Sequence, residues 1–83
     1  MIRKAVTVNS NKGLEIREIA LLVHQASQYR SQVFIETPNK KINAKSIMGV
    51  MSLQLAKGDG IVVMADGEDE QAVIEGMESF FAF

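Results

Sequence analysis

The order in which strand-like and helix-like hydrophobic patterns follow each other along the chain constrains its fold more than any other feature. Four segments have the short, β-branched or alternating pattern of strands, and three have the spacing or start signals of helices. In chain order they predict β-α-β-β-α-β-α, with boundaries at 2–8, 16–29, 33–36, 41–44, 47–53 and 61–65 and a last helix that opens at 68–70. Strand–helix alternation with one internal hairpin predicts an α+β fold, in which helices cover one face of a mostly antiparallel sheet.

Length and cysteine content limit how this fold is stabilised. The chain has 83 residues, of which 47% are apolar, and it has no cysteine. We expect one domain over residues 1–83 with a modest core, because a chain of this size buries only about 60–65% of its surface on folding. Without cysteine there is no disulfide, no thiol catalysis and no thiolate metal site. The absence of disulfides fits a reducing compartment.

Charge, hydropathy and ligand spacing exclude several classes of function. All nine basic residues lie within 1–57, and seven of the ten acidic residues lie within 58–83. We expect these two segments to neutralise each other in the folded domain. Basic residues without a clustered stripe or an aromatic platform predict no nucleic-acid binding, and no residue cluster has metal-ligand spacing. No segment approaches the roughly 20 apolar residues of a membrane span, and residues 1–12 lack the apolar stretch of a signal peptide. We therefore expect a cytoplasmic protein, and we expect no cofactor.

The segment NAKSIMGVMSL at 43–53 resembles the regulatory segment of the HPr phosphocarrier family. The resemblance covers the whole chain and is greatest with the Gram-positive catabolite-repression branch, Crh, to which 67–71 is also similar. Gly13 and Arg17 fall where that family has its active loop. The resemblance implies an open-faced β-sandwich, with strand order 1-4-2-3 and three helices on one side. It also implies that the chain is not an enzyme.

The segment that resembles the family's first phosphorylation site lacks the nucleophile. The family pattern is glycine, an apolar residue, histidine, a small residue, arginine and proline, and the matching segment here is 13–18. Glu15 replaces the histidine and Glu18 replaces the proline, so that only Gly13 and Arg17 remain as phosphate-site features. A phosphocarrier needs a nucleophile such as imidazole, whose phosphoryl bond keeps a high transfer potential. The resemblance therefore implies that this site does not carry phosphate.

Two interpretations of Glu15 remain open. In the first, its carboxylate imitates the phosphorylated state of the missing histidine beside Arg17 at a helix N-terminus. In the second, it is only a solvated acid in the first helical turn. The one histidine of the chain, His24, lies more than two helical turns beyond Glu15 and is predicted to be a surface residue.

The family's second phosphorylation site is present as Ser46. In the family, an ATP-dependent HPr kinase modifies this serine, and the resemblance implies the same modification here. Ser46 precedes a short helix as an N-cap would, and a phosphate beside the free amides of a first helical turn is expected to be tolerated. Lys45 is expected to pair with that phosphate.

Three apolar side chains follow Ser46, namely Ile47, Met48 and Met51. In the family, this helix is a docking surface for the kinase and for the transcriptional regulator CcpA, to which Arg17 and Lys45 would also contribute. Flexible methionines suit a surface that meets several partners. The alternative is that all three side chains belong to the core.

Three functions follow from this sequence. The first is a Crh-like regulator of carbon catabolite repression, phosphorylated at Ser46 and then bound to CcpA. The second is a carrier of the phosphoenolpyruvate sugar phosphotransferase system with an altered site that uses Glu15 or His24. The third is a binding module that has lost both activities.

Strand alternation also predicts an apolar patch on the open face of the sheet. If Val33, Ile35, Ile61 and Val63 face the helices, the neighbouring side chains Phe34, Val62 and Met64 face outward. Strand order 1-4-2-3 would place these three together, and exposed apolar patches often mark association. We therefore expect some self-association, such as a homodimer.

Overall fold

The computed structural model describes residues 1–9 and 15–82. Within them, the elements are β1 (Ile2–Thr7), α1 (Ile16–Ser27), β2 (Gln32–Glu36), β3 (Lys41–Asn43), α2 (Ile47–Met51), β4 (Gly60–Asp66) and α3 (Glu70–Ala82). The strands form one sheet of order β1-β4-β2-β3, in which every neighbouring pair is antiparallel. The predicted element order, strand order and fold class are confirmed.

The core lies between the sheet and the three helices. On the sheet side, alternate residues of the central strand β4 form the core, since Ile61, Val63 and Ala65 are buried. Helices α1 and α3 cover them with Leu22, Ala26, Val73, Met77 and Phe81, all of which are nearly inaccessible to solvent. On α3, Ile74 is buried beside these residues and Phe80 is half-buried.

Two helices end earlier than their hydrophobic patterns predict, because both tighten in the last turn. At the end of α1, the N–H groups of Gln28 and Tyr29 donate to carbonyls three residues back, at 3.1 and 3.3 Å. At the end of α2, Leu53 and Gln54 do the same, at 3.1 and 3.3 Å. Such i→i−3 bonds satisfy the last carbonyls of a helix without continuing it.

The Asp69 carboxylate joins two loops on one edge of the domain. It accepts hydrogen bonds from the backbone N–H groups of Arg30 and Ser31, at 3.0 and 2.9 Å, and from the Ser31 hydroxyl. These bonds, that of the Ser31 hydroxyl first, lower the pKa of Asp69 to about 2. The predicted acidic helix start at 68–70 is therefore only partly helical, because α3 begins at Glu70 and Asp69 holds the neighbouring loop.

The predicted apolar patch on the open face of the sheet is wrong in its extent. Met64 is only 3% exposed, and Phe34 and Val62 are half-buried. Met64 lies on the central strand in register between Arg3 of β1 and Phe34 of β2, so that a long side chain stands on each side of it.

Charged side chains also lie across this face. Arg3 on β1 and Glu36 on β2 form an ion pair of 2.9 Å. The Lys41 ammonium lies 4.8 Å from the centre of the Phe34 ring, which is within the range of a cation–π contact. Because of these contacts, the open face does not present a continuous apolar surface.

Candidate functional site

Ser46 caps the N-terminus of α2, as the sequence predicts. Its backbone is extended, at φ −110° and ψ 117°, and its carbonyl accepts the Val50 N–H at 3.0 Å. The Gly49 N–H donates to the Ser46 hydroxyl oxygen at 3.1 Å, in a half-buried position. This bond satisfies one of the N–H groups that the first turn of a helix leaves without an intrahelical partner.

Asn43, at the end of β3, sets the direction in which the chain enters α2. Its side-chain oxygen accepts the Lys45 N–H at 2.8 Å, and its carbonyl accepts the Ser46 N–H at 3.0 Å. At the other end of α2, the Lys40 ammonium donates to the Ser52 carbonyl at 2.9 Å. A cation at this end suits the carbonyls of a helix C-terminus, so both ends of this five-residue helix are held.

Lys45 contacts α1 rather than the Ser46 hydroxyl. Its ammonium donates to the Tyr29 carbonyl at 2.8 Å, just beyond the end of α1. The pairing of Lys45 with a phosphate on Ser46 stays a prediction, since the serine is unmodified in this structure. Here, Lys45 fixes the start of α2 against the end of α1.

The apolar side chains after Ser46 lie at the surface. Met48 is 82% exposed, Ile47 49% and Met51 43%, whereas Val50 is buried. The alternative that all three belong to the core is wrong, because a five-residue helix turns only one face toward the sheet.

Helix α1 exposes two further apolar side chains, which the sequence reading missed. Ile16 is 73% exposed and Leu21 54%, and α1 packs against α2. The buried stripe of α1 consists of Ile19, Leu22, Val23 and Ala26. Leu21 lies outside this stripe, and that position indicates exposure. We call Ile16, Leu21, Ile47, Met48 and Met51 the apolar helix surface; exposed apolar groups of this size often mark interaction sites.

Glu15 occupies the N-cap position of α1, and Arg17 lies in the first turn. Glu15 is exposed, its side chain makes no capping hydrogen bond, and its carbonyl accepts the Ile19 N–H at 2.9 Å. Arg17 is exposed as well, and within residues 1–9 and 15–82 no ion pair joins it to Glu15. Gly13, the other predicted phosphate-site residue, lies outside the described residues.

His24 has a surface position, as predicted. Its ring is exposed on the last turn of α1, and its Nε2 atom lies 3.1 Å from the Gln28 side-chain nitrogen. Across the described part of the chain, no group of three or more histidine, cysteine or acidic side chains could hold a metal ion. In the same residues, no helix is both long and apolar enough to span a membrane.

The opposite charges of the two ends of the chain meet in the folded domain. Lys4 pairs with Glu78 at 2.9 Å, and Arg30 pairs with Glu68 at 3.3 Å. Each pair joins a basic residue from the first part of the sequence to an acid from the last. Lys4 and Arg30 thus pair as the sequence predicts, whereas Arg3 pairs with Glu36 of its own segment.

Comparison with known proteins gives one consistent family. The family described as "PTS HPr component phosphorylation site" matches residues 2–82. "HPr-like protein Crh" from Halalkalibacterium halodurans is 46% identical over 83 residues, covering 100% of this chain and 95% of that protein. The crystal structure of the phosphocarrier protein HPr from Bacillus anthracis has a TM-score of 0.92 and 36% identity, with coverage of 96% and 95%. That of Crh from Bacillus subtilis, a dimer with a swapping domain, has a TM-score of 0.78 and 42% identity, with coverage of 98% and 93%.

Proposed function

The chain belongs to the HPr family, and from that membership we propose that it is a Crh-like regulator of carbon catabolite repression. In this proposal, HPr kinase phosphorylates Ser46 with ATP, and the phosphorylated protein binds a CcpA-type transcriptional regulator. The chain itself is not an enzyme, and it acts in the cytoplasm, where ATP and the regulator are present.

The position of Ser46 carries this proposal. Its hydroxyl caps α2 beside Ile47 and Met48, which are exposed, so that a modified serine and an apolar docking surface are neighbours. A phosphate on an N-cap serine gains from the nearby amides and from the positive end of the helix, so it is expected to leave the fold intact. Modification thus adds negative charge to a surface already suited to a partner.

The apolar helix surface supports a partner-binding role. Its methionines on α2 adapt to more than one partner, and Arg17 adds a cation on α1 that suits an acidic group of the partner. Lys45 contributes to binding indirectly, because its hydrogen bond to the Tyr29 carbonyl holds the start of α2 in place. In this proposal the kinase and the regulator use overlapping parts of the surface.

Glu15 excludes the protein from phosphoryl relay. Its carboxylate stands where the family has the phosphoryl-accepting histidine, and a phosphoryl bond to this carboxylate is not part of the proposal. Its exposure at the start of α1 is compatible both with imitation of a phosphorylated histidine and with simple solvation. Either way, phosphorylation at Ser46 is the only switch in the proposal.

A homodimer also belongs to the proposal, on the strength of the dimeric relatives. Crh from B. subtilis and HPr from Thermoanaerobacter tengcongensis have both been described as dimers. The open sheet face is a weak basis for such a dimer, because Met64 is buried within it. Sedimentation over a range of concentrations tests this part: a constant monomer mass would remove it.

The proposed function is tested by incubation with ATP and HPr kinase, followed by peptide mass spectrometry. We expect one phosphate on Ser46, and none in the Ser46→Ala variant. Phosphorylated and unmodified protein are then compared for binding to CcpA. An absence of phosphate, while an authentic HPr is labelled in parallel, would refute the proposal.

Incubation with phosphoenolpyruvate and enzyme I tests the carrier alternative. A regulator gains no label under these conditions, whereas a carrier gains label that is lost in Glu15→Gln or His24→Gln. If neither treatment adds phosphate, the binding-module function remains.

A further inference from the structure

Gly49 occupies a position where helix propensity disfavours glycine. It lies inside α2, and its N–H donates to the Ser46 hydroxyl oxygen at 3.1 Å. Alanine in place of an interior helical glycine normally stabilises a helix, because glycine has more backbone freedom to lose on folding. The choice of glycine here therefore needs a reason beyond the formation of α2.

Two other glycines leave much less space for a Cβ atom than Gly49 does. Gly67 has a φ of +153°, and a Cβ atom there would lie 2.7 Å from the Ser31 Cα atom. At Gly76, a Cβ atom would overlap the Tyr29 hydroxyl. At Gly67 the backbone itself excludes a larger residue, whereas at Gly76 the ends of the Tyr29 and Gln25 side chains would have to move.

The surroundings of Gly49 are less restrictive. A Cβ atom there would lie 3.3 Å from the Ser46 hydroxyl oxygen and 3.4 Å from the Asn43 carbonyl oxygen, and its φ is not in the left-handed region. Shifts of a few tenths of an ångström relieve such contacts. Alanine at this position requires only that its neighbours shift by this amount, and the added methyl group would then lie directly against the serine hydroxyl.

We propose that Gly49 is a specificity-determining residue for the phosphorylation of Ser46, since its missing side chain leaves one side of the hydroxyl open to the phosphoryl donor. This inference rests on the proposed function. In the transfer, the Ser46 oxygen attacks the γ-phosphorus of ATP, the bond from that phosphorus to the ADP oxygen breaks, and the hydroxyl proton passes to a base of the kinase. Reacting atoms meet at about 3–3.5 Å before such a step. A methyl group 3.3 Å from the attacking oxygen occupies the same shell.

The effect is expected in catalysis rather than in docking. Gly49 has no side chain to contact a partner, whereas Met48 and Met51 are exposed on either side of it in sequence. The Gly49→Ala variant keeps these docking side chains. Its KM for the kinase is therefore expected to stay near that of the wild type, and its kcat is expected to fall.

The test compares three proteins as kinase substrates: the wild type, Gly49→Ala and Gly60→Ala. Gly60 is the matched control, because a Cβ atom there has no neighbour within 4 Å and its φ is not positive. We expect Gly49→Ala to lose about tenfold or more in kcat with KM changed less than about twofold, as a misplacement of under 1 Å warrants. Gly60→Ala is expected to match the wild type.

Thermal unfolding of the unmodified proteins separates a steric effect from a loss of structure. The Tm of Gly49→Ala is expected to equal or exceed that of the wild type, since helix propensity favours alanine. A kcat within twofold of the wild type would overturn the proposal. A Tm lowered by more than about 4 °C, roughly 1 kcal/mol in a domain of this size, would also overturn it, because the fold itself would then require glycine.

The steric claim is testable even if the proposed function fails. If the kinase adds no phosphate to the wild type, phosphoserine is placed at position 46 by genetic encoding, with Gly49 present and with Gly49→Ala. We expect the Tm change caused by phosphoserine to be less favourable in the alanine variant than in the protein with glycine. Equal Tm shifts in the two proteins would refute a steric role for Gly49, whatever the kinase does.

Discussion

Removal of the Ser46 hydroxyl tests how much the N-cap contributes to this domain. Ser46→Ala deletes the 3.1 Å bond from the Gly49 N–H, and α2 has no acidic residue in its first turn to replace it. Loss of an N-cap hydroxyl typically costs about 1 kcal/mol, within a range of about 0.5–2 kcal/mol. Because the bond is half-buried and α2 has only five residues, we expect about 1 kcal/mol, or a Tm lowered by about 4–8 °C.

Substitution of Ser46 by aspartate is expected to maintain or raise the free energy of unfolding rather than lower it. Ser46→Asp keeps an acceptor oxygen at the N-cap and adds a negative charge at the positive end of α2. Such a charge contributes about 0.3–1 kcal/mol at low ionic strength and is screened by salt. The aspartate variant should therefore be at least as stable as the wild type in dilute buffer and lose that advantage at high salt.

Thermal and urea unfolding at neutral pH measure both effects. Ser79→Ala is the matched control, because Ser79 is exposed on α3 and its substitution should change stability by less than about 0.5 kcal/mol. Two results would refute the reasoning: an alanine variant as stable as the wild type, or an aspartate variant less stable than the alanine one. The expected loss in Ser46→Ala is small enough that the variant stays folded and remains a valid control for the kinase assay.

The remaining predictions concern other parts of the domain. The lowered pKa of Asp69 means that its ionised form stabilises the fold above its unfolded pKa near 3.8, and that this stabilisation is lost as pH falls toward 2. Asp69→Asn should therefore flatten the acid limb of a stability-against-pH curve, and an unchanged limb would contradict the hydrogen-bond cause. Gly67→Ala should destabilise the protein by at least about 2 kcal/mol in urea unfolding, because of its positive φ and the contact with Ser31. Met48→Lys should weaken the binding of phosphorylated protein to CcpA about tenfold or more while changing the Tm little, because its side chain is 82% exposed; unchanged affinity would exclude Met48 from the interface.

The sequence predicts this fold well where local pattern and tertiary packing agree. Strand alternation in 61–65 and the stripe through Leu22 and Ala26 give the correct elements, because those residues are buried in the core. The ends of α1 and α2 are predicted less well, since apolar spacing continues through Tyr29 and Leu53 while the backbone has already tightened into i→i−3 bonds. No one-dimensional pattern contains that change.

The candidate site was predictable in its centre but not at its margins. The position of Ser46 before an apolar run predicts an N-cap, and the structure has one. The contact of Lys45 with the Tyr29 carbonyl and the burial of Met64 depend on strand register and on side chains distant in sequence. Such contacts appear only when the elements are assembled.

The place of β4 in the sheet has a consequence for synthesis of the chain. β1 and β2 do not pair with each other; each pairs with β4, whose residues are Gly60–Asp66. On a ribosome, β1 therefore cannot join the sheet until β4 has emerged, although β2 and β3 can pair earlier. Until then, the apolar sides of β1 and α1 have no partner strand to cover them. Non-local pairing of this kind slows folding and leaves nascent chains open to aggregation, so this small domain should gain more from chaperone contact than its length suggests.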